Sequence, residues 1–287
     1  MKDLFRLMRP AHWLKNLLIL LPLLCSGAIG ELLLLRRSIF GFLAFSLLAS
    51  AIYIINDICD RERDRLSSEK CSRPIASGAV PVGAAVGLCI ALILLGCAAA
   101  FFACEAAPLA FVPLLVYFAL NLGYSFGLKR IPIIDVAILA SGYLLRLIFG
   151  GLITGIALSR WLSLCIISVS FYMGLGKRRG EVRNQRRDVR DVLKYYSYDF
   201  LDRNMYMFAA LSIVFYALWS VDEQTSLHIG SGRLVWTVPL VILLLLKYSL
   251  DIEQESSGDP LDVLLHDRVL LGLGLLFVLV ISAMIYL

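Results

Sequence analysis

The chain has 287 residues, 60% of them hydrophobic and only 17% charged, with a mean hydropathy of +0.82. A soluble domain carries about a quarter charged residues, so a soluble globular class is excluded and an all-α integral membrane protein is indicated. The net charge of +5 follows from an uneven distribution of Lys and Arg among the loops rather than from one basic face, which gives a nucleic-acid partner no support.

A hydrocarbon core of about 30 Å requires roughly 20 apolar residues per helix. Such stretches are predicted at 14–30, 39–56, 81–104, 107–125, 133–154, 158–176, 205–221, 234–250 and 268–286, which makes nine candidate transmembrane helices in one helical domain spanning 1–287. Only Glu105 and small neighbours separate the third from the fourth, so eight or ten crossings stay open. The opening residues resemble a secretion signal in having Lys2, Arg6 and Arg9 before an apolar stretch. Against that reading, Trp13, Lys15 and Asn16 lie inside it, and LLPLLC is a poor lipid-attachment box. The N-terminus and the loops near 57–80, 126–132, 177–204 and 251–267 hold about 20 of the 27 Lys and Arg, against Arg36, Arg37, Arg160 and Arg233 in the opposite loops. The positive-inside bias then places the N-terminus in the cytoplasm and the C-terminus outside, in a multi-pass protein of the inner (plasma) membrane. Seven cysteines lack any C-x-x-C spacing and mostly lie in apolar spans, where they read as small core residues.

In RPAHWLKN, Arg9, Lys15 and Asn16 surround Trp13 at the start of the first span. This is either an aromatic and basic anchor at the membrane surface or an anion-binding segment. The second span runs into NDICDRERDRLSSEKCSRP, residues 56–74. On a continuous helix Asp57, Asp60 and Asp64 fall at about 0°, −60° and −20°, on one face over roughly 10 Å. Arg61 follows Asp57 at i+4, so a surface salt bridge stays open for that pair. A carboxylate at the end of a membrane helix is nevertheless costly, roughly 2.5–3.5 kcal/mol at the bilayer centre and less near the interface, and usually marks a site. Three carboxylates with the Asn56 amide form an oxygen set for a hard cation, best Mg2+, which takes one or two protein carboxylates and completes its octahedron with water and substrate phosphates. His12, His228 and His266 are too scattered for a zinc site. The set implies a diphosphate-bearing substrate, and Arg73, just before Pro74, suits the same negative charge.

Further along, YSFGLKRIPIID places Tyr124, Lys129 and Asp135 in a short loop. Arg146 lies inside the fifth apolar stretch, where a guanidinium needs a partner, a water-filled cavity or a snorkelling path. The sixth stretch ends in GLGKRRGEVRNQRRDVRD, in which eight basic residues from Lys177 to Lys194 accompany Glu181, Asp188 and Asp191. Most of this charge reads as a headgroup-facing surface; Lys177, Arg178 and Glu181, nearest the membrane helix, are the site candidates. The acidic DIEQESSGDPLDVLLHDR connection carries Asp251, Glu253, Asp259, Asp262 and Asp267 around a turn, and reads as structural first. GLITG at 151–155 is a weak helix-packing motif.

The pattern N-D-x-x-D-x-x-x-D at a helix end resembles the UbiA superfamily of intramembrane prenyltransferases. RPAHWLKN, NDICDRERDR with RPIASG, YSFGLKRIPIID with GYLLR, GKRRGE and SGDPLDVLLHDRVL resemble its decaprenyl-phosphate phosphoribosyltransferase branch, and together cover residue 9 to about 270. The resemblance implies a UbiA-type helical bundle around a cytosol-facing polar cavity. Prenyltransferases of the superfamily use a second acidic patch, D-x-x-x-D, after the sixth span, where this chain has Lys177, Arg178 and Arg179. One acidic and one basic patch suit two different anions, a Mg-diphosphate and a lipid monophosphate. By resemblance, Asn56, Asp57, Asp60 and Asp64 bind Mg2+ and the diphosphate of phosphoribosyl diphosphate. Asp57, Asp60, Asp64 and Lys177 are then the catalytic set, while Lys15, Asn16, Asn56, Arg73, Tyr124, Lys129, Arg146, Arg178 and Glu181 hold the two phosphates and the ribose. The acceptor is a polyprenyl phosphate, the product a precursor of a lipid-linked pentose donor for cell-envelope polysaccharide, and a homo-oligomer is left open. The alternatives are prenyl transfer to an aromatic or lipid acceptor, and a cation-coupled transporter, whose acids belong near the bilayer midplane.

Overall fold

The computed structural model describes residues 2–67, 70–183, 191–222, 232–254, 263–264 and 266–286, and no strand occurs among them. Asp188, Asp259, Asp262 and His228 lie outside the described residues. The helices are α1 (Lys2–Leu7), α2 (Leu21–Cys25), α3 (Leu32–Cys59), α4 (Arg61–Arg65), α5 (Val82–Cys104), α6 (Phe111–Phe126), α7 (Ile134–Thr154), α8 (Arg160–Arg183), α9 (Tyr198–Val221), α10 (Val238–Gln254) and α11 (Arg268–Tyr286). A 3₁₀ segment, Pro10–Leu20, leads directly into α2.

Among the described residues seven helices are long and apolar enough to cross a membrane, Leu32–Cys59, Val82–Cys104, Pro108–Phe126, Ile134–Thr154, Tyr198–Val221, Arg233–Glu253 and Arg268–Tyr286, which marks a multi-pass membrane protein. Two of the nine expected stretches, the first and the sixth, are not among these seven. The first stretch forms a shorter apolar helix, Pro10–Cys25, because the chain turns just beyond Cys25 at Gly27, where φ is +74°. The sixth forms the 24-residue α8, which does not stop at Gly176 but runs on into the charged KRRGEVR. The break between the third and fourth stretches is real, with α5 ending at Cys104 and a short 3₁₀ turn at Pro108–Ala110 before α6.

The chain forms two compact units. The first comprises residues 1–23, 31–129 and 145–156; the second comprises 24–30, 130–144 and 157–287, so α7 contributes its first half to one unit and its second half to the other.

In the first unit α3 is the central element. Its 28 residues rise about 42 Å at 1.5 Å each, some 12 Å more than a hydrocarbon core, so one end must emerge at headgroup level. That end carries Asn56 and Asp57. Ala44, Phe45, Leu48, Ala49 and Ile52 of α3 pack with Ala99, Ala100 and Ala103 of α5, with Leu114 and Tyr117 of α6, and with Phe149 and Ile153 of α7. Because lipid competes for apolar contact, such packing depends on close approach at small residues more than on a hydrophobic driving force. Gly150 is the sharpest case: a Cβ there would overlap the backbone of Ile19, so only glycine lets α7 lie against the 3₁₀ segment.

In the second unit α8 and α9 form the main pair, with Tyr172, Leu175, Leu201, Met205, Tyr248 and Ile252 in the core. Tyr172 donates its phenol to the Leu245 carbonyl at 2.9 Å and lies 2.6 Å from the Ser249 hydroxyl, which ties α8 to α10. Ser197 caps α9 by accepting the Phe200 N–H at 3.2 Å. α11 leaves most of its apolar side chains outside, with Leu275 58% and Leu279 67% exposed, the pattern of a helix solvated by lipid.

Candidate active site

The aspartates at the end of α3 do not share one uninterrupted helix. α3 ends at Cys59, Asp60 leaves helical geometry at φ −93° and ψ 3°, and α4 starts at Arg61. The three carboxylates therefore do not stack as a continuous helix would stack them. Asp57 and Asp64 are both 3% exposed, and Arg73 joins them: its Nη1 donates to Asp57 Oδ1 at 3.0 Å and to Asp64 Oδ2 at 2.7 Å. Arg9 donates from Nη2 to the same Asp57 Oδ1 at 2.6 Å. Asp60 turns to Lys129, whose Nζ donates to both of its oxygens at 2.6 Å and to Asn56 Oδ1 at 3.3 Å. Arg61 pairs with Glu62, at 3.8 Å, so the i+4 bridge from Asp57 to Arg61 gives way to partners from more distant parts of the chain.

Buried carboxylates persist only when paired, and here each has a cationic partner from the chain itself. Among the described residues no three His, Cys, Asp or Glu side chains converge as a ready metal shell. Asp57 and Asp64 nevertheless present oxygens to one shared cationic nitrogen, and Asp60 chelates another. A pair of carboxylates with an amide is the all-oxygen donor set that Mg2+ accepts from a protein, so the residues fit such an ion where the guanidinium and ammonium now stand. Burial pushes the Asp64 carboxyl above its usual range, although the nearby charges of Arg73 and Lys70 act the other way.

A second polar cluster of this unit lies in its core. Asn16, fully buried, donates from Nδ2 to Ser46 Oγ at 2.9 Å and accepts Arg146 Nε–H on Oδ1 at 2.6 Å. Arg146 also donates from Nη2 to the Tyr117 hydroxyl at 3.0 Å and lies over the Tyr117 ring, 4.7 Å from its centroid. Arg146 therefore does not snorkel; it donates to neighbouring side chains, of which Tyr117 carries no signal in the sequence. Lys15 is half-buried on the 3₁₀ segment next to Asn16, and Tyr124 is half-buried near the end of α6.

The second unit holds Lys177, Arg178 and Glu181 on the last turns of α8. Arg178 is fully buried; its Nε donates to Asp135 Oδ2 and its Nη1 to Glu181 Oε2, both at 2.7 Å. Arg179 pairs with Asp202 at 2.7 Å and Glu253 at 2.6 Å and lies over the Tyr198 ring. Tyr196 completes the cluster by donating to Asp135 Oδ1 at 2.7 Å while accepting the N–H of Ile133 at 2.6 Å. Ile133 has φ +69°, a strained conformation for a β-branched residue, and the Tyr196 hydroxyl holds it there. Burial, and then the bond to Asp135, keep the Tyr196 phenol well above its usual pKa, so it remains a donor. Two of the three basic residues in KRR thus serve internal ion pairs, and Lys177 is half-buried on the same turn of α8.

Residues 18–266 match the UbiA prenyltransferase family. The chain is 38% identical to a decaprenyl-phosphate phosphoribosyltransferase of Corynebacterium glutamicum, over 99% of this chain and 86% of that protein. It is 34% identical to one of Mycobacterium tuberculosis, over 96% and 91%. A solved UbiA homologue of Archaeoglobus fulgidus bound to GPP and Mg2+ superimposes with a TM-score of 0.70 at 20% identity, over 99% of this chain and all of the other. The all-helical fold, the aspartate pattern at the end of α3 and relatives matched over nearly their whole length agree: the chain belongs to the UbiA prenyltransferase family.

Proposed function

We propose that the protein transfers a 5-phosphoribosyl group from phosphoribosyl diphosphate to a polyprenyl phosphate, at the cytoplasmic face of the plasma membrane. The reading is supported by the buried pair Asp57 and Asp64, bridged by Arg73, in a chain 38% identical to a relative named for that reaction. A phosphate oxygen of the lipid forms the new bond to C1 of the ribose as the bond from C1 to the diphosphate breaks, and diphosphate leaves. The nucleophile is already ionised near neutral pH, so no side chain has to remove a proton.

Asn56, Asp57, Asp60 and Asp64 are the residues assigned to Mg2+, which when bound stabilises the charge gathering on the departing diphosphate. Arg73 and Lys129, now on the aspartates, are within a side-chain swing of the same region and supply charge-assisted donors to phosphate oxygens. This is catalysis by positioning and by electrostatics aimed at the leaving group. Lys177 is assigned to the lipid phosphate. The ion pairs of Arg178 and Glu181 give those two a supporting role in the second unit.

The test is incubation of purified protein in lipid micelles with polyprenyl phosphate, Mg2+ and phosphoribosyl diphosphate labelled in the ribose. Label extracted with the lipid, and dependent on the acceptor, is the expected result. Label that stays in the aqueous phase, with activity appearing only when a prenyl diphosphate is supplied, overturns it in favour of prenyl transfer.

A further inference from the structure

Arg9 is the residue of the aspartate cluster that the expected ligand set leaves out, and its backbone has a positive φ, unusual for a residue other than glycine. It occupies the left-handed region, φ 50° and ψ 58°, directly before Pro10. A residue preceding proline normally takes extended geometry, and a non-glycine residue in the left-handed region costs of order 1–3 kcal/mol unless its surroundings enforce it. Here they do. The carbonyl of Arg9 accepts the His12 N–H at 2.9 Å, and Ser50 on α3 donates to the carbonyl of Met8 at 2.7 Å while accepting the Trp13 indole N–H at 3.0 Å. The two residues flanking the turn are therefore pinned to the helix that carries Asp57. The result is a guanidinium seated 5.0 Å above the Tyr53 ring, with Nη2 on Asp57 Oδ1.

That oxygen is served twice, by Arg9 and by Arg73. Arg9, Arg73 and Lys129 together match Asp57, Asp60 and Asp64 in charge. Lys70, whose charge also acts on Asp64, adds one more cation, so the cluster carries no net negative charge before any ion arrives, and a divalent cation entering alone would leave it strongly positive. An anion that accompanies the cation restores balance, and the displaced guanidinium then has phosphate oxygens to bind. We infer that Arg9 is a resident counter-cation of Asp57, which competes with a divalent ion for that carboxylate in the donor-free protein and turns on the Tyr53 ring to the phosphates when ion and diphosphate enter together. The inference rests on the reading of the aspartates as the metal and donor site.

The experiment measures Mn2+ binding directly, from the electron paramagnetic resonance signal of the free ion, with and without inorganic diphosphate. It compares wild type, Arg9→Gln, Arg9→Lys and Asp57→Asn. Without diphosphate, Arg9→Gln is expected to bind Mn2+ about three- to tenfold more tightly than wild type, because a competing charge a few ångströms away is gone. The increase in Mn2+ affinity that diphosphate brings should shrink by a similar factor, because a phosphate ligand is gone as well. Arg9→Lys, which keeps the charge, should stay within about twofold of wild type without diphosphate, where charge competition alone sets Mn2+ affinity. A residue with a merely structural role would weaken both affinities together or change neither. Unchanged or weaker Mn2+ binding in Arg9→Gln, or a lysine variant that follows the glutamine variant, overturns the inference. Should Arg9→Gln not fold, Tyr53→Leu removes the seat of the guanidinium and carries the same expectation. Asp57→Asn that binds Mn2+ as tightly as wild type overturns the metal-site reading itself, a separate outcome.

Discussion

Arg146 donates its Nε–H to the buried Oδ1 of Asn16 at 2.6 Å, across 130 positions of sequence. This bond, together with the one to Tyr117, makes Arg146 part of the packing between α7 and the 3₁₀ segment that carries Lys15. Arg146→Met should orphan Asn16 Oδ1 and the Tyr117 hydroxyl, each at about 1–3 kcal/mol, and lower the unfolding temperature in detergent by several degrees. The double variant Asn16→Leu/Arg146→Met removes both ends of the bond. It should be less destabilised than the sum of the two single variants; strict additivity would show that the bond contributes nothing.

Asp57 and Asp64 share the Arg73 guanidinium, whereas Asp60 is paired with Lys129, and this division ranks the aspartates. Asp57→Asn should reduce phosphoribosyl transfer by roughly 100-fold or more, the scale seen when one electrostatic stabiliser of a leaving charge is lost, with the helical circular dichroism of the protein unchanged. Because an asparagine still accepts hydrogen bonds from Arg9 and Arg73, the fold has little to lose. Wild-type turnover in Asp57→Asn at limiting Mg2+ would remove this carboxylate from the site.

The aspartate stretch is legible because membrane chains rarely tolerate clustered carboxylates, so the spacing of Asp57, Asp60 and Asp64 at the end of an apolar span singles them out. Arg73 is legible as a cation just downstream of the acids and Lys129 only through the family resemblance, and the structure puts both on the aspartates. The break at Asp60 was not legible, since neither proline nor glycine marks it. Nor were the partners of Arg178: a sequence displays a charge but not its neighbour, and Asp135 lies 43 positions away. Arg9 reads in sequence as part of a surface anchor or an anion-binding segment, and its place on Asp57 is hidden because its left-handed turn runs against the usual preference before proline.

Lys247 bridges α10 and the start of α11 by donating to Asp251 and, at 2.6 Å, to Asp267, which also caps α11 by accepting the Leu270 N–H at 2.7 Å. The bond from Lys247, and then that from Leu270, hold the Asp267 carboxyl below its ordinary range. A carboxyl lowered in the folded state contributes stability that is fully present above its unfolded pKa of about 3.9 and is lost as pH falls through the folded value. Asp267→Asn keeps the cap but not the charge. The difference in unfolding temperature between wild type and this variant should therefore be constant at neutral pH and shrink below about pH 4; a difference that does not change with pH would mean that the ion pair adds nothing.

Tyr196 joins the strained Ile133 to the buried Asp135. Tyr196→Phe removes one donor from a carboxylate and one acceptor from a backbone N–H, so a loss of about 1–3 kcal/mol is expected. Hydrogen exchange should locate the change: the Ile133 amide should lose protection first, ahead of the α8 and α9 amides. Protection lost evenly across the second unit would mean that the phenol does not hold this turn in particular.

Lys177 and Arg178 are adjacent, yet a helix turns them about 100° apart, and opposite outcomes follow. Arg178 is enclosed by Asp135 and Glu181. Arg178→Met leaves two carboxylates without their guanidinium in a dry environment, which costs about 3–5 kcal/mol, so the variant should unfold early and lose activity for that reason alone. Lys177→Ala removes a half-buried ammonium at the end of the same helix and should leave the unfolding temperature within a few degrees of wild type. If Lys177 binds the lipid phosphate, its loss raises the KM for polyprenyl phosphate about tenfold, the effect of losing roughly 1.4 kcal/mol of charge-assisted binding, and leaves the KM for phosphoribosyl diphosphate unchanged. Equal rises for both substrates would place Lys177 at the donor, and no rise for either would return the whole KRR stretch to a structural role.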